Sequence, residues 1–507
     1  MHSSLRMGLW ELKHMAREER CDIIVIGGGS AAHEAAVAAR EAGAERIVML
    51  EKAPEPEFGG NARYSHTGFR FVYDGVGEIR QFIEVDDTTF STFVMPPYTR
   101  ENFLADLNRV TEGRIDQELA TFLVDNSNAS LHWMRRKGIR FEHEKPVPVK
   151  GKKYFEPGAV IHTVGGGLGQ LLQWRDIAAG LGVEIRYESK VTGFHGNERH
   201  IEGVRVLTPE GEYDLVGRAV ICCSGGFQAS AEMRARYLGP FGDLMRVRGS
   251  KHDTGEVLNM LIALGAMTAG HWQGAHATPI GAESQDGAIP LRPDGHGNSA
   301  NRYEYKFGIT VNTLGQRFYD EGETKHSYTY AKTGRAVLAQ PRGLAHQVFD
   351  DTGFKLFREG AYAGAKGFEA NSIAELAGKI GLAPEVLVHT VEEFNAACRN
   401  DLPFNPGNTD GKCTVGIAPK KSNWAVKIEK PPFRAYPIVC GITFTFGGLR
   451  INTRAEVLGT SGKPIRGLYA SGDVVGLFFH NYPGNTGQTR NVVFSRVAGR
   501  EAAGRNR

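Results

Sequence analysis

The chain has 507 residues, with 64 glycines and a net charge of +3 from 60 basic and 57 acidic side chains. That length exceeds what one simple core buries, so two or more domains are expected. Balanced charge excludes a nucleic-acid footprint and an acidic tail, and glycine above the usual roughly 7% points to tight turns and close approaches between backbone and ligand.

Residues 1–20 carry mixed charge and no apolar core, which argues for a surface tail rather than a signal peptide. The six cysteines (Cys21, Cys222, Cys223, Cys398, Cys413, Cys440) include no C-x-x-C. Neither a zinc nor an iron–sulfur site is therefore expected, no metal is called for, and a reducing compartment fits. The longest apolar stretch, 257–270, contains Asn259 and is too short to cross a bilayer. The expectation is a cytoplasmic protein with no membrane insertion and no nucleic-acid partner.

Residues 21–52, CDIIVIGGGSAAHEAAVAAREAGAERIVMLEK, read as strand, glycine turn, alanine-rich helix, second strand and acid. This is a dinucleotide-binding βαβ unit. Gly27 and Gly29 allow the turn and the approach of a pyrophosphate, and the helix opening at Ser30 offers its unpaired N–H groups to that anion. Ala32 stands at the third fingerprint position, where helix and strand must pack closely. Glu51, followed by Lys52, sits where a carboxylate accepts hydrogen bonds from ribose hydroxyls.

Next comes a glycine-punctuated loop, FGGNARYSHTGFR at 58–70, holding Gly59, Gly60, Asn61, Ala62, Ser65, Thr67 and Gly68. Helical patterns cover 99–138, and a helix over 165–182 is entered through three glycines. Strand character returns over 183–191, ending at Val191. A hairpin follows over 201–207 and 212–216, and a separate apolar strand over 219–223 runs into Ser224-Gly225-Gly226. The region 272–443 is richer in loops, His, Tyr and Pro, with one helical pattern at 373–399. A strand over 447–452, the segment Gly-Leu-Tyr-Ala-Ser-Gly-Asp at 467–473 and a last helix over 486–503 close the chain.

Four separated segments, Gly27–Ala32 with Glu51, Gly59–Ala62, Asp253-Thr254-Gly255-Glu256 and Gly467–Asp473, together resemble the fumarate reductase/succinate dehydrogenase flavoprotein superfamily from residue 21 onward. The resemblance implies an α/β fold. Its parts would be a Rossmann-like FAD-binding domain of the glutathione-reductase type (21–271 and 444–507), an inserted α+β substrate-capping domain (272–443) and a tail (1–20). It implies FAD rather than NAD. Thr254, Gly255, Glu256, Ser224, Gly225 and Gly472 would lie around the cofactor, Asp473 on its ribitol chain, and Gly487 in the helix whose N-terminus faces the flavin. A helix N-terminus stabilises the negative charge of a reduced flavin.

Longer stretches, among them GGNARYSHTGFRFVYDG and FFHNYPGNTGQTRNVVFSRVAGR, resemble the FAD-dependent tricarballylate dehydrogenases. That resemblance implies desaturation of a polycarboxylate, tricarballylate to cis-aconitate, with electrons passed to an external acceptor such as a membrane iron–sulfur protein. Desaturation needs a hydride acceptor, a base for the α-proton and cations for the carboxylates. His276 corresponds to a substrate-binding histidine of the fumarate reductases, and Arg302 falls where carboxylate-contacting residues lie. Lys325 stands in place of their proton-donating arginine, and a lysine can serve as a base where an arginine cannot, plain carboxylate binding being its alternative role. Arg317 and Glu321 read as structural.

Phe444 replaces a substrate histidine, and Tyr482 replaces a carboxylate-binding arginine. Tyr482-Pro483-Gly484 instead resembles the Tyr-Pro-Gly of 3-ketosteroid Δ1-dehydrogenases, so His480 and Tyr482 are expected at the flavin's reactive edge. Arg490 is either a carboxylate ligand or a structural ion pair. Ser65-His66-Thr67 repeats the letters of a covalent flavin attachment at a different spacing, so noncovalent FAD is expected. Three readings stay open: a polycarboxylate desaturase, a ketosteroid-like dehydrogenase or fumarate reductase-like enzyme, and a flavin-bearing electron carrier.

Overall fold

The computed structural model describes residues 17–287, 289, 291–292, 299–358 and 360–504. Of the expected tail, 1–16 lie outside the described residues. Residues 17–20 are not tail, because they open strand β1 (Arg17–Ile26), which pairs from Arg17 onward.

The first sheet is built on the βαβ unit. β1, helix α1 (Ser30–Glu41) and β2 (Ile47–Leu50) follow as the residue pattern dictates. Ile23, Ile24 and Val25 are wholly buried, because β1 is flanked by parallel neighbours and helices cover the sheet. Helices Arg100–Val110 and Gln117–Lys137 come next, then α2 (Gly166–Gly180). β3 (Glu184–Arg186) joins β2 in parallel.

β4 (Lys190–Asn197), β5 (His200–Thr208) and β6 (Gly211–Cys222) form an antiparallel meander. Here the structure departs from the two strands expected over 212–223. They are one strand, continuous through Gly217, paired along its whole length with β1 in parallel. Its other edge serves β5 over the first half and the late strand β11 (Pro464–Ala470) over the last residues.

The second sheet comes from the middle of the chain. It contains β7 (Ala275–Gly281), β8 (Ile309–Asn312), β9 (Leu344–Phe349) and the long β10 (Phe433–Thr445). β10 runs antiparallel to both β7 and β9 and carries the chain back to the first sheet. Helix α3 (Tyr330–Leu338) lies against β7 and β10. The single helical pattern expected over 373–399 is two helices, Ile373–Lys379 and Pro384–Ala397. Pro384 opens the second one, and a proline turns the residue before it away from helical backbone. The last helix, α4 (Thr486–Ala503), has the expected bounds and packs against α1.

Candidate active site

A cleft of about 850 Å³ opens at the carboxyl ends of β1, β2 and β6, where Ile26, Leu50 and Cys223 reach its wall. This is where open α/β sheets bind ligands. Gly27 has φ +117°, and a Cβ there would lie 2.4 Å from the carbonyl oxygen of Cys223, so only glycine fits. α1 begins at Ser30 with Gly29 as cap, no capping side chain and no acid in its first turn, leaving its N–H groups to an anion. Glu51 lies at the end of β2, buried on the cleft wall, and burial raises its pKa.

Gly27, Gly29, Ser30, Glu51, Lys52, Gly59, Gly60, Asn61, Ala62, Val191, Ser224, Gly225, Gly255, Glu256 and Asp473 all line this cleft. The donor set suits a dinucleotide, with pyrophosphate at α1 and ribose at Glu51. Other expected residues do not line it. Ala32 is buried in the helix–sheet contact. Thr254 bonds Lys52 and Glu256 behind the wall. Ser65 and Thr67 bond each other within their loop, and Gly472 approaches Ala31. Gly68 meets the side chain of Asn485 at the start of α4, where Gly487 has open space.

Sequence reasoning missed Gly28, Lys190, His252, Asp253 and Asn491 on the same wall. Asp253 sat inside a recognised motif, but its environment is tertiary. Burial, then the charges of Asp473 and Glu51, push it up to about 8. Against the same opposing burial, hydrogen bonding from Thr254 and the Lys52 ammonium bring Glu256 down to about 2.

Beyond the Gly59–Ala62 turn lies a chain of three hydrogen-bonded groups from three distant segments. Tyr330 on α3 and Tyr482 before α4 have their phenol oxygens 2.7 Å apart, and the Tyr482 oxygen is 3.2 Å from His276 Nδ1 on β7. Thr443 and Phe444 of β10 stand opposite His276 alone, a bulge in the β7–β10 ladder. Bulges re-aim side chains beside active sites. Phe444, expected to replace a histidine, packs edge-on against the His276 ring at 5.3 Å. Burial, then Arg248, drives His276 well below the usual range, so it is neutral, and its Nε2 has no hydrogen-bond partner. Burial holds both tyrosines above their usual range, so they remain protonated donors. Tyr330 lies in the stretch FYDEGETKHSYTYAKTGR, which resembles the same dehydrogenases, but was not singled out, and Arg248 belongs to no motif.

Arg302 and His480 sit differently from the expectation, while Arg490 forms the ion pair that was one of its two expected roles. Arg302, anticipated at the substrate, pairs with Glu283 and lies over the Tyr362 ring at 5.0 Å, so its charge is already matched. His480 does not share the place of Tyr482. It lies half-buried beside His271, with Nε2 3.8 Å from Glu112. Arg490 pairs with Asp473 and lies over Phe444 and Phe478. Lys325 caps the short turn His326–Tyr328, half-buried, and its charge reaches Lys306. Burial, with repulsion from Arg358 and Lys325, pushes Lys306 down to about 8.

Arg317 and Glu321 form a buried two-point pair, in keeping with a structural role. His66 bonds Glu144 at 2.9 Å. With His162 these make the one group of metal-ligating character among the described residues, all ligand atoms lying within 4.8 Å of one another.

The family described as FAD binding domain matches residues 22–488. The NADH:fumarate oxidoreductase of Klebsiella pneumoniae (strain 342) is 27% identical over 515 residues, covering 100% of this chain and 50% of that protein. The chain thus spans about half the length of that curated relative. A flavocytochrome c3 fumarate reductase in its open conformation superposes with a TM-score of 0.71 at 24% identity, covering 99% of this chain and 82% of that one. The 3-ketosteroid delta1-dehydrogenase of Sterolibacterium denitrificans, in complex with 1,4-androstadiene-3,17-dione, gives 0.72 at 18%, covering 96% and 100%. At these identities the structures speak for the fold. Among the described residues no helix is long and apolar enough to cross a membrane.

Proposed function

The chain belongs to the FAD binding domain family, and on that premise we propose that it is an oxidoreductase acting on a CH–CH bond of a polycarboxylate, tricarballylate to cis-aconitate being the reaction its side chains suit. The observation that carries this reading is the Tyr330–Tyr482–His276 chain, a buried set of neutral hydrogen-bonding groups one bulge away from the FAD cleft. The basic side chains Lys306, Lys325 and Arg358 gather on the same side, where Arg358 and Lys306 add to burial in driving His326 well below its usual range. A trianion would be held in such a field.

Held in the cleft by the residues that line it, FAD would supply an acceptor for two electrons and the hydrogen of the β-carbon's C–H bond. Lys325, acting in its uncharged form, takes the α-proton, and the electron pair left behind forms the double bond. As that bond breaks, negative charge builds on the adjacent carboxylate. Tyr482, protonated at neutral pH, donates to that charge or to His276, while Tyr330 fixes its hydroxyl. Phe444, Phe478 and Phe446, whose rings surround Tyr482, keep water away from the reacting carbons.

The same aromatic wall with Tyr482-Pro483-Gly484 favours a second reading, a cyclic ketone or ketosteroid desaturated by the same groups. FAD is held noncovalently, since the His66 ring nitrogen is engaged by Glu144, and acid precipitation is expected to release it. Electrons leave to an external acceptor, such as a membrane iron–sulfur protein.

Tyr482→Phe tests the assignment. It removes the hydroxyl that bonds both Tyr330 and His276, so kcat on tricarballylate should fall about 10²-fold or more with FAD retained. Lys325→Ala should lose a similar factor. Unchanged turnover in both variants would overturn the roles given to them.

A further inference from the structure

Arg248 follows the two-residue strand Arg246–Val247, which pairs in parallel with β10, and its own N–H donates to the carbonyl of Ile442 at 2.8 Å. The residue is 8% exposed. Nε donates to Asn301 Oδ1 at 2.7 Å and Nη1 to Thr443 Oγ1 at 2.5 Å, both neutral acceptors, and Nη2 makes no bond among the described residues. Other buried arginines near the cleft are matched by acids. Arg70 has Asp106 and Glu156, Arg302 has Glu283, and Arg490 has Asp473. Arg234, which lacks an acid, has all three nitrogens bonded to carbonyls. Arg248 alone of these holds a buried charge with neutral partners and a free nitrogen. A buried cation without an anion is costly, and the cost is relieved when an anion arrives.

Its position says which anion. Thr443, whose hydroxyl takes Nη1, accepts the Asn61 side-chain amide on its carbonyl, and Asn61 in turn accepts the Ser250 N–H at 2.9 Å. Arg248 is therefore tied to the Gly59–Ala62 turn of the FAD cleft. On the opposite edge of β10, the bulge of Thr443 and Phe444 carries His276, whose buried Nε2 has no partner. With Tyr482 donating to Nδ1, that Nε2 bears a hydrogen and is a second donor awaiting an acceptor. A free guanidinium edge and a free imidazole N–H flanking one strand make an anion site.

We propose that Arg248 binds a carboxylate of the substrate, with His276 Nε2 as a second donor, between the Gly59–Ala62 turn and the Tyr330–Tyr482–His276 chain. It supplies, from the edge of β10 opposite β7, the cation that Tyr482 replaces before α4. The proposal rests on the polycarboxylate reading for the identity of the substrate, but not for the charge of the ligand.

The test uses the FAD-loaded protein and the change in its visible flavin spectrum on titration with cis-aconitate and, in parallel, citrate. Wild type should bind, and Arg248→Met should weaken binding by at least about 30-fold. Arg248→Lys should recover part of that, as a point charge without the fork. Without anion, Arg248→Met should melt at or above the wild-type temperature, because an unmatched buried charge is gone. The anion should raise the wild-type melting temperature and not that of the variant.

Unchanged dissociation constants in Arg248→Met, with a lowered melting temperature, would make Arg248 structural and overturn the proposal. So would a shifted flavin potential with unchanged anion binding, or no binding by wild type. Anion binding that depends on Arg248, in a protein that does not oxidise tricarballylate, would sustain the site and remove the substrate. Oxidation of tricarballylate with equal affinity in wild type and variant would do the reverse.

Discussion

Gly27→Ala probes the cofactor cleft at its tightest point. The position has φ +117°, and the added Cβ would sit 2.4 Å from the Cys223 carbonyl oxygen and 2.9 Å from its carbon, backbone atoms that the β1–β6 ladder holds in place. Backbone strain of this kind costs about 2 kcal/mol, and overpacking about 2 kcal/mol more. If the turn relaxes at the expense of the cleft, the total of about 4 kcal/mol corresponds to roughly a thousandfold loss of FAD affinity. Gly43→Ala is the control. Its φ is +96°, nothing lies within 4 Å of the added Cβ, and it is remote from the cleft. It should cost some melting temperature and leave FAD affinity unchanged. The assay is titration of each apoprotein with FAD, followed by flavin fluorescence. A dissociation constant for Gly27→Ala within threefold of wild type would refute the steric argument.

Two further predictions follow from charges in the structure. Asp253 is raised from an ordinary 3.8 to about 8, by burial first and then by Asp473 and Glu51. Between those values the folded protein holds a proton that the unfolded chain has lost, so stability falls as pH rises from about 4 towards 8. Apoprotein carrying Asp253→Asn should lose that part of the slope in melting temperature against pH, and parallel slopes would contradict the assignment. Arg302→Met leaves Glu283 without its cation and should cost about 3 kcal/mol of stability. Its KM should be unaffected in the fraction that folds, whereas a raised KM with unchanged stability would return Arg302 to the substrate.

The legible parts of the molecule were those whose signals are local. The βαβ unit could be read because an apolar run, a glycine turn and an alanine-rich helix occupy one continuous segment, and α4 was expected at its observed bounds. β6 was read as two strands because Gly217 and Arg218 interrupt the apolar pattern, yet pairing with β1 on one edge and β5 on the other holds the backbone straight.

The Tyr330–Tyr482–His276 cluster was half visible. His276 and Tyr482 came from family likeness, but Tyr330 lies 152 residues from the tyrosine it bonds. Arg248 matters for the acid it lacks, which no local pattern reports. Arg302 misled for the converse reason, since Glu283 neutralises it through a contact that only the fold creates. His480, with left-handed backbone at φ +53°, packs beside His271 rather than joining the Tyr330–Tyr482–His276 chain, a placement no local pattern reports.

The central claim, a flavoenzyme that desaturates a polycarboxylate, is tested most directly by anaerobic mixing of the FAD-loaded protein with tricarballylate, following flavin absorbance near ~450 nm. Rapid bleaching with one equivalent of cis-aconitate formed per flavin, slowed in Lys325→Ala and Tyr482→Phe, is the predicted result. An unbleached flavin with tricarballylate, together with bleaching by a 3-ketosteroid, would contradict the polycarboxylate account and give Tyr482 the substrate carbonyl instead.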